Sequence, residues 1–549
     1  MNFPSAPVMV CLAGCLDVCV GPAPISPAPP RLHRRGDNAP MNTSVDPAVD
    51  LGMVWRNRFA TLGEAFFTLQ QPTPLPSPVW VGTSPSVARL LGLEPQWLAC
   101  PAGLGAFTGN LPIAGTQPLA SVYSGHQFGH WAGQLGDGRA LLLVDVIDQQ
   151  GRQRDIQLKG SGRTPFSRGG DGRSPLGPAL REYILCEAMY ALGVPTTRAL
   201  AVVSSGEQVV REQPEPGAVF TRVAASHIRV GTLQLFALRQ NEQALRALAD
   251  HVLERHYPHL DRTADDRYVQ LFAAICRRQA ELIAQWLLLG FIHGVMNTDN
   301  MTLSGETIDY GPCAFMDAFK AGQVFSSIDQ RGRYAYQNQP AIGQWNLARL
   351  AEAMLSLFPG DEDAAIQQAT AILKDYNNIH SQAWEQGMVR KLGFSSVVAG
   401  DVQRIAGLLE LLEQGALDYT LFFRRLGQVT QPNADRSPVL SLLNLPDCRN
   451  NAALERALHE WLDEWQQQLA QRETESADVI TRMQSVNPAI IPRNHRVAEA
   501  IEAAENDDFS VFETLLSALE QPYAEQAAFE HYQLPPEPEQ KVLRTFCGT

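Results

Sequence analysis

The sequence has no apolar run long enough to cross a membrane, since a transmembrane helix needs roughly 18 to 20 such residues. It also has no block of Lys and Arg: 44 basic residues are spread among 58 acidic ones, giving a net charge of −14. We therefore expect no nucleic-acid surface. The nine cysteines show neither zinc-ribbon spacing nor the density of a small disulfide scaffold. Their pattern favours a reducing, cytoplasmic location.

The composition is typical of a globular protein, with 45% hydrophobic and 19% charged residues in 549 positions. This length is sufficient for a large core and for two or more structural units. The beginning of the chain differs, because it is rich in proline between Ala23 and Pro40. We expect residues 1–50 to be a disordered or wrongly assigned extension. A secretion signal is disfavoured, since no Lys or Arg precedes the apolar stretch Val8–Leu16.

Between residues 84 and 240 short β-type runs alternate with glycine-rich segments. A glycine-rich zone from Ser121 to Gly138 precedes a strand-like run, and Lys159 ends the next run. The N-lobe of a protein kinase begins in the same way, with a glycine loop, a strand and then a Lys at a strand end. The predicted elements are a helix at Ser84–Leu91, strands at Ala140–Ile147 and Asp155–Lys159, a helix at Leu180–Leu192, and strands at Ala199–Val203 and Ala218–Val223.

From Asn241 onward the pattern is helical, and it remains mostly helical to about Ala527. One predicted helix leads directly into a loop at His293, as the long C-lobe helix of a kinase does. Its buried face is indicated by apolar residues at helical spacing, namely Phe272, Ile275, Cys276, Leu282, Ile283, Trp286 and Leu287.

The most informative motif is His293-Gly-Val-Met-Asn-Thr-Asp-Asn300, followed nine residues later by Asp309-Tyr-Gly-Pro312. Its layout matches the kinase catalytic loop, H-R-D-x-x-x-x-N, and the metal-binding triplet D-F-G. On this template Asn300 and Asp309 are candidate ligands for Mg²⁺ or Mn²⁺, because both offer hard oxygen donors.

The position of the kinase catalytic Asp is occupied by Val295, which can neither accept a proton nor bind a metal. Asp299 is the remaining carboxylate of the loop and the best candidate for a replacement base. An Asp before an Asn is also a common turn-former, so a purely structural role is the alternative. We expect His293 to support the loop.

Candidate phosphate-binding residues lie upstream of this loop. Lys159 ends a predicted strand, and Glu182 lies 23 residues later in the next helix. A Lys–Glu pair of this kind orients the Lys toward phosphates in kinases. Arg222 and Arg229 would add more positive charge than α- and β-phosphates normally require, which suggests an unusual placement of the triphosphate. Each residue alone could equally be a solvated surface group.

Two glycine-rich segments are candidates for the nucleotide loop. Gly136, Gly138 and Arg139 close the first segment, and Arg163–Arg173 forms the second. Glycine lets backbone N–H groups approach a phosphate without obstruction by a Cβ atom. A hairpin turn and a solvated loop are the plainer interpretations.

Taken together, these motifs resemble the selenoprotein O family, described as protein adenylyltransferases on a pseudokinase fold. The resemblance covers roughly residues 50 to 549. It is carried by Tyr123-Ser-Gly-His-Gln-Phe-Gly129, Gly133-Gln-Leu-Gly-Asp-Gly-Arg139, Leu158-Lys-Gly-Ser-Gly162, Gly170-Asp-Gly-Arg173, His293–Met301, Asp309–Pro312 and Gln484-Ser-Val-Asn-Pro-Ala489.

The resemblance implies an enzyme that transfers AMP from ATP to Ser, Thr or Tyr hydroxyls of proteins. ATP would bind inverted, with its γ-phosphate deep in the pocket, and Mg²⁺ or Mn²⁺ would be the cofactor. We expect a monomer. The implied roles are nucleotide binding by Gly136, Gly138, Arg139, Asp171 and Gly172, contact with the buried phosphates by Lys159, Arg222 and Arg229, orientation of Lys159 by Glu182, metal binding by Asn300 and Asp309, and proton acceptance by Asp299.

The resemblance also suggests a disulfide between Cys547 and a cysteine that follows the Asp309 motif. Cys313 is the only cysteine between Asp309 and Gly400. Free thiols are our default expectation, and the disulfide is a hypothesis.

The predicted fold is α+β, a protein-kinase-like bilobal arrangement with an additional helical region. Its regions are the extension, 1–50, an N-lobe-like nucleotide-binding region, 51–240, a helical C-lobe with the catalytic and metal loops, 241–430, and a C-terminal helical region, 431–549. Two other functions stay open: a kinase that transfers the γ-phosphate, and a pseudokinase that binds nucleotide without chemistry.

Overall fold

A large antiparallel sheet forms the first part of the protein. The computed structural model describes residues 48–473 and 476–546. The strands are β1 Trp55–Arg56, β2 Phe67–Leu69, β3 Val79–Thr83, β4 Leu119–Gln127, β5 His130–Gly136, β6 Ala140–Ile147, β7 Gln153–Lys159, β8 Ser174–Pro175, β9 Arg198–Val210, β10 Pro214–Ala224, β11 Phe291–Ile292 and β12 Ala314–Phe315. The main sheet has the order β2-β4-β6-β7-β10-β9-β3, with β1 beside β6, β5 beside β4 and β8 beside β10.

Helices dominate the chain after the sheet, although three precede its last strands. Within the described ranges they are α1 Pro85–Leu91, α2 Pro101–Thr108, α3 Leu176–Ala191, α4 Val230–Leu238, α5 Glu242–His256, α6 Arg267–Leu289, α7 Gln339–Met354, α8 Glu362–Lys391, α9 Asp401–Gly415, α10 Tyr419–Leu426, α11 Ser437–Leu440, α12 Ala452–Arg472, α13 Ser476–Val486, α14 Asn494–Glu505 and α15 Ser510–Leu519. None of the described helices is both long and apolar enough to span a bilayer. The predicted α+β class is confirmed.

The predicted elements before residue 240 are confirmed, with one difference. Strands β6, β7, β9 and β10 and helices α1 and α3 contain the predicted runs almost to the residue. The glycine-rich zone, by contrast, is not a loop but the β4–β5 hairpin. Of its five glycines, Gly129 lies in the hairpin turn, where its φ is 83°. Most of β4 is apolar or small and buried, so it forms a strand although it contains Gly125.

The long helix α6 positions the catalytic-loop motif. It ends at Gly290, whose left-handed φ of 72° lets the chain turn out of the helix. β11 follows immediately and pairs with β12, opposing Phe291 to Phe315. This short ribbon brings the chain after Asp309 back beside the chain before His293. All seven predicted core residues of α6 are buried.

Buried apolar side chains form three clusters. One lies between the sheet and helices α1 and α2, and a second lies between the sheet, α3 and the central helices. The third joins α8–α10, α12 and α13. Residues 1–47 lie outside the described chain. Val49 belongs to the first cluster, and its backbone is hydrogen-bonded to Pro112 and Ala114.

Buried ion pairs join the start of α14 to the start of α10 and to the segment after β12. Arg493 is 1% exposed and donates to the Asp418 carboxylate at 2.8 and 3.2 Å and also to Asp317.

Arg493→Met is expected to lower the free energy of unfolding by about 3–5 kcal/mol, because two carboxylates lose their counter-charge in the interior. Denaturant titration measures this. The control is Arg496→Met, whose pair with Glu499 lies nearer the surface and should cost about 1 kcal/mol or less. Equal losses would contradict the interpretation.

Candidate active site

Asp309 lies among three cationic side chains. Its Oδ1 accepts from Lys159 Nζ at 3.1 Å and from Arg222 Nη1 at 2.8 Å. Its Oδ2 lies 3.5 Å from Arg229 Nη1. Burial alone would raise the pKa of Asp309, but the three cations hold it well below its ordinary value. The carboxylate is therefore ionised. It keeps 21% of its surface exposed, so a ligand can reach it.

The strand register explains why these cations meet. Lys159 of β7 pairs with Phe220 of β10, and two residues along Gln157 pairs with Arg222. Directly opposed residues point to the same face of a sheet, so Lys159 and Arg222 share one face. Helix α3 covers that face and places Glu182 between them. Glu182 accepts from Lys159 Nζ at 2.5 Å and from Arg222 Nη1 at 3.0 Å.

Asp299 lies on the other side of Arg229. Its carbonyl oxygen accepts from Arg229 Nη1 at 2.9 Å, and its Oδ2 accepts from Gln127 Nε2 at 2.9 Å. Its Oδ1 is buried and has no hydrogen-bond partner among the described residues. Burial raises the pKa of Asp299, although Gln127 and Arg229 oppose the shift. A carboxylate with an unpaired oxygen and a raised pKa is suited to accept a proton.

His293, Val295 and Asn300 form the frame of the loop. His293 is buried, and its Nε2 lies 2.9 Å from the carbonyl oxygen of Ile308, next to Asp309. Val295 is 6% exposed, and its carbonyl oxygen accepts a hydrogen bond from Asn300 Nδ2 at 3.1 Å. The Asn300 amide nitrogen is thus used inside the loop, which leaves its oxygen as the side-chain donor available to a metal.

The glycines of the candidate nucleotide loop permit close backbone packing. A Cβ on Gly136 would lie 2.4 Å from the Phe166 ring. Gly172 has a φ of 73°, and a Cβ there would lie 2.2 Å from the backbone of Gly162. Gly138 is similarly close to the Phe166 carbonyl. These contacts require glycine whether or not a phosphate binds.

Arg139 lies beside the loop that follows Lys159, and Asp171 lies within that loop. The Arg139 carbonyl accepts from Gly160 at 2.6 Å, directly after Lys159. Asp171 accepts from Arg211 at 2.8 Å, and this contact, followed by others including Arg139, lowers its pKa. The structure therefore groups Lys159, Glu182, Arg222 and Arg229 around Asp309. Gly136, Gly138 and Arg139 contact the loop after Lys159, which itself contains Asp171 and Gly172.

Four further polar residues belong to the site and were not predicted. Tyr123 accepts from Arg229 at 3.2 Å, and its ring lies 4.8 Å from the guanidinium carbon. Gln157 accepts from Arg222 at 2.7 Å. Asp137 is buried 3.9 Å from Arg229, and Gln127 binds Asp299. Tyr123, Gln127 and Asp137 all lie in the glycine-rich zone, so interpreting that zone as a hairpin would have indicated them.

Comparison with known proteins identifies the family. A family model described as protein adenylyltransferase SelO matches residues 50–520. The chain belongs to this family. A protein nucleotidyltransferase YdiU of Rhizobium johnstonii is 52% identical over 494 residues, covering 90% of this chain and 97% of the relative. The proteins of the same name from Rhizobium meliloti and Bradyrhizobium diazoefficiens are 52% and 51% identical, each covering 90% of this chain and 99% of the relative. The predicted family and the predicted enzyme class, a nucleotidyltransferase, are confirmed.

The disulfide hypothesis for this SelO family member stays a prediction. Cys547 lies outside the described residues. Cys313 is buried, and its carbonyl oxygen accepts from Arg181 Nη2 at 2.5 Å.

Proposed function

We propose that this protein transfers AMP from ATP to Ser, Thr or Tyr hydroxyl groups of proteins. The observation that carries the proposal is the grouping of Lys159, Arg222 and Arg229 around Asp309, next to the unpaired Oδ1 of Asp299. This arrangement supplies polyphosphate binding, a metal ligand and a base within one cluster. Transfer at phosphorus depends mainly on such positioning and on charge neutralisation.

The same cations support an inverted ATP, with its β- and γ-phosphates directed inward. Arg222 is 1% exposed and Arg229 is 4% exposed, so their charges lie at the bottom of the site. A terminal phosphate carries more negative charge than an α-phosphate, and it is the better counter-ion for two buried guanidinium groups. In this orientation the α-phosphate faces outward, toward Asp299, and Gly136, Gly138, Arg139, Asp171 and Gly172 line the nucleotide.

Asn300 and Asp309 would hold Mg²⁺ or Mn²⁺ together with phosphate oxygens. The donors fit, because Mg²⁺ commonly takes one or two side-chain oxygens and completes its shell with phosphates and water. The metal would neutralise charge on the phosphates. Phosphates would also attract Lys159 and Arg222, which now bind Asp309 Oδ1, and so free that oxygen for the metal.

In the transfer step the acceptor hydroxyl oxygen forms a bond to the α-phosphorus. The bond between that phosphorus and the bridging oxygen breaks, and pyrophosphate leaves with the electron pair. The hydroxyl proton passes to Asp299 Oδ1. Lys159, Arg222 and Arg229 stabilise the charge on the departing pyrophosphate.

We also propose a kinase-like bilobal division, with residues 51–240 as the N-lobe, 241–430 as the C-lobe and 431–549 as an added helical region. Support comes from the position of the ten-stranded sheet, which ends at Ala224, and from the helices that follow it.

Mass spectrometry of an acceptor protein incubated with ATP and Mn²⁺ tests the proposed function. An AMP adduct on a Ser, Thr or Tyr is the expected result. A phosphate adduct would instead indicate a kinase, and no adduct on any acceptor would indicate a nucleotide-binding module.

A further inference from the structure

An aromatic and cationic surface adjoins the hairpin turn that covers Asp299. We call Trp131, Arg333 and Trp345 the mouth surface. Trp131 is 40% exposed, and Arg333 and Trp345 are partly exposed. The Arg333 guanidinium carbon lies 4.8 Å from the Trp345 ring centroid. Aromatic residues and Arg are the residues enriched at the centres of protein interfaces.

The β4–β5 hairpin connects the mouth surface to Asp299. Gln127 donates to Asp299, and Gly129, two residues further on, is packed against Arg333. A Cβ on Gly129 would lie 3.2 Å from the Arg333 guanidinium carbon. Two residues of extended chain span at most about 7 Å. Arg333 and the proposed base therefore contact residues of the same hairpin that are only two positions apart.

Hydrogen bonds fix the position of the segment that carries Arg333. Asp329 accepts from the backbone N–H groups of Arg333 and Tyr334 at 2.9 and 2.8 Å. Tyr334 donates to Asn297 Oδ1 at 2.7 Å and accepts from Phe128 N at 3.1 Å. The segment is thus bound both to the β4–β5 turn and to the catalytic loop, so a ligand on Arg333 would have a defined position relative to Asp299.

The charge of Arg333 is not balanced locally. No Asp or Glu in residues 48–473 or 476–546 forms an ion pair with it, whereas the neighbouring Arg349 is paired with Glu352 at 2.6 Å. Asp329, the nearest carboxylate in sequence, is occupied by backbone donors. The pKa of His126, which packs on both tryptophans, is lowered to about 4 by burial first and then by Arg349, with a further contribution from Arg333. The mouth is therefore electropositive on a protein with a net charge of −14.

We propose that the mouth surface binds the acceptor protein through an acidic residue near the modified hydroxyl. This inference rests on the proposed function. The acidic side chain pairs with Arg333, and apolar parts of the acceptor pack on Trp131 and Trp345. Arg333 is thereby a specificity-determining residue that contacts the acceptor but not the reacting atoms.

The test uses two synthetic peptides that share one acceptor Ser, flanked by Glu in one and by Lys in the other. With the intact protein, AMP transfer to the Glu peptide is expected to have a kcat/KM roughly three- to tenfold higher, through KM, as one ion pair would give. Raised salt should reduce this preference. Arg333→Glu is expected to favour the Lys peptide, with ATP binding unchanged. Arg333→Lys should still favour the Glu peptide.

Arg239→Glu is the matched control, because it makes the same change of charge on an exposed Arg that contacts Gln134 on the neighbouring strand β5. It should leave the preference for the Glu peptide in place. Equal use of both peptides by the unmodified protein overturns the inference. So does an Arg333→Glu variant that loses activity on both peptides equally, since that indicates a purely structural role. Transfer to proteins but not to the Glu peptide also overturns it, whereas no transfer to any acceptor overturns the proposed function itself.

Discussion

Asp309→Asn is expected to lower AMP transfer on the order of 10³-fold or more, because a metal ion contributes several kcal/mol of charge stabilisation and each 1.36 kcal/mol is a factor of ten. Asn keeps the shape of the side chain but removes the charge that balances Lys159, Arg222 and Arg229. Those cations remain, so metal-free binding of ATP should persist. Initial rates at saturating Mn²⁺ and calorimetric titration with ATP measure the two effects.

Asp401→Asn is the control for this variant. Asp401 is also a buried carboxylate, paired with Arg404 and Arg472, but it lies in α9, remote from the cluster. It should lower stability and leave the rate per folded molecule unchanged. An Asp309→Asn protein that transfers AMP at the normal rate would refute the metal assignment.

Asp299→Asn is expected to lower kcat for AMP transfer by about 10²- to 10⁴-fold, the usual contribution of a general base. The change is nearly isosteric, and Asn can still accept from Gln127, so the loop should keep its conformation. Since Asp299 is assigned to the acceptor hydroxyl and not to the phosphates, the affinity for ATP should change little. Single-turnover rates with saturating ATP measure the effect on the chemical step.

Gln127→Leu distinguishes the loss of the Asp299 carboxylate from the loss of the hydrogen bond that holds it. It removes the donor to Asp299 Oδ2 but retains the carboxylate, so its loss of rate should be smaller than that of Asp299→Asn. If both variants lose the same rate, Asp299 acts through loop structure. If Asp299→Asn retains the full rate, another group accepts the proton.

The sequence predicts the regular elements well, because their signals are local. The strand Ala140–Ile147 and the helix that ends before His293 follow from apolar periodicity and from a terminating glycine. The prediction of a loop at the β4–β5 hairpin is wrong, because five glycines mask the strand signal of the β-type residues between them. Glycine permits left-handed turns but does not by itself make a loop.

The site was predictable only in part, because its geometry depends on strand register. Sequence indicates Lys159 and Glu182 as partners, and in the structure Glu182 also accepts a hydrogen bond from Arg222. It does not indicate that Asp309 receives three cations, since that depends on which face of β10 Arg222 occupies. Nor does it indicate Tyr123 or Arg333, whose contacts with Arg229 and Gly129 join segments about a hundred or more residues apart.

Labelled ATP shows which phosphate of the nucleotide is transferred. The protein is incubated with an acceptor protein, Mn²⁺ and ATP labelled at either the α- or the γ-phosphate. We expect protein-bound label from α-labelled ATP alone, with the γ-label recovered in pyrophosphate. Label reaching the acceptor from γ-labelled ATP would contradict it.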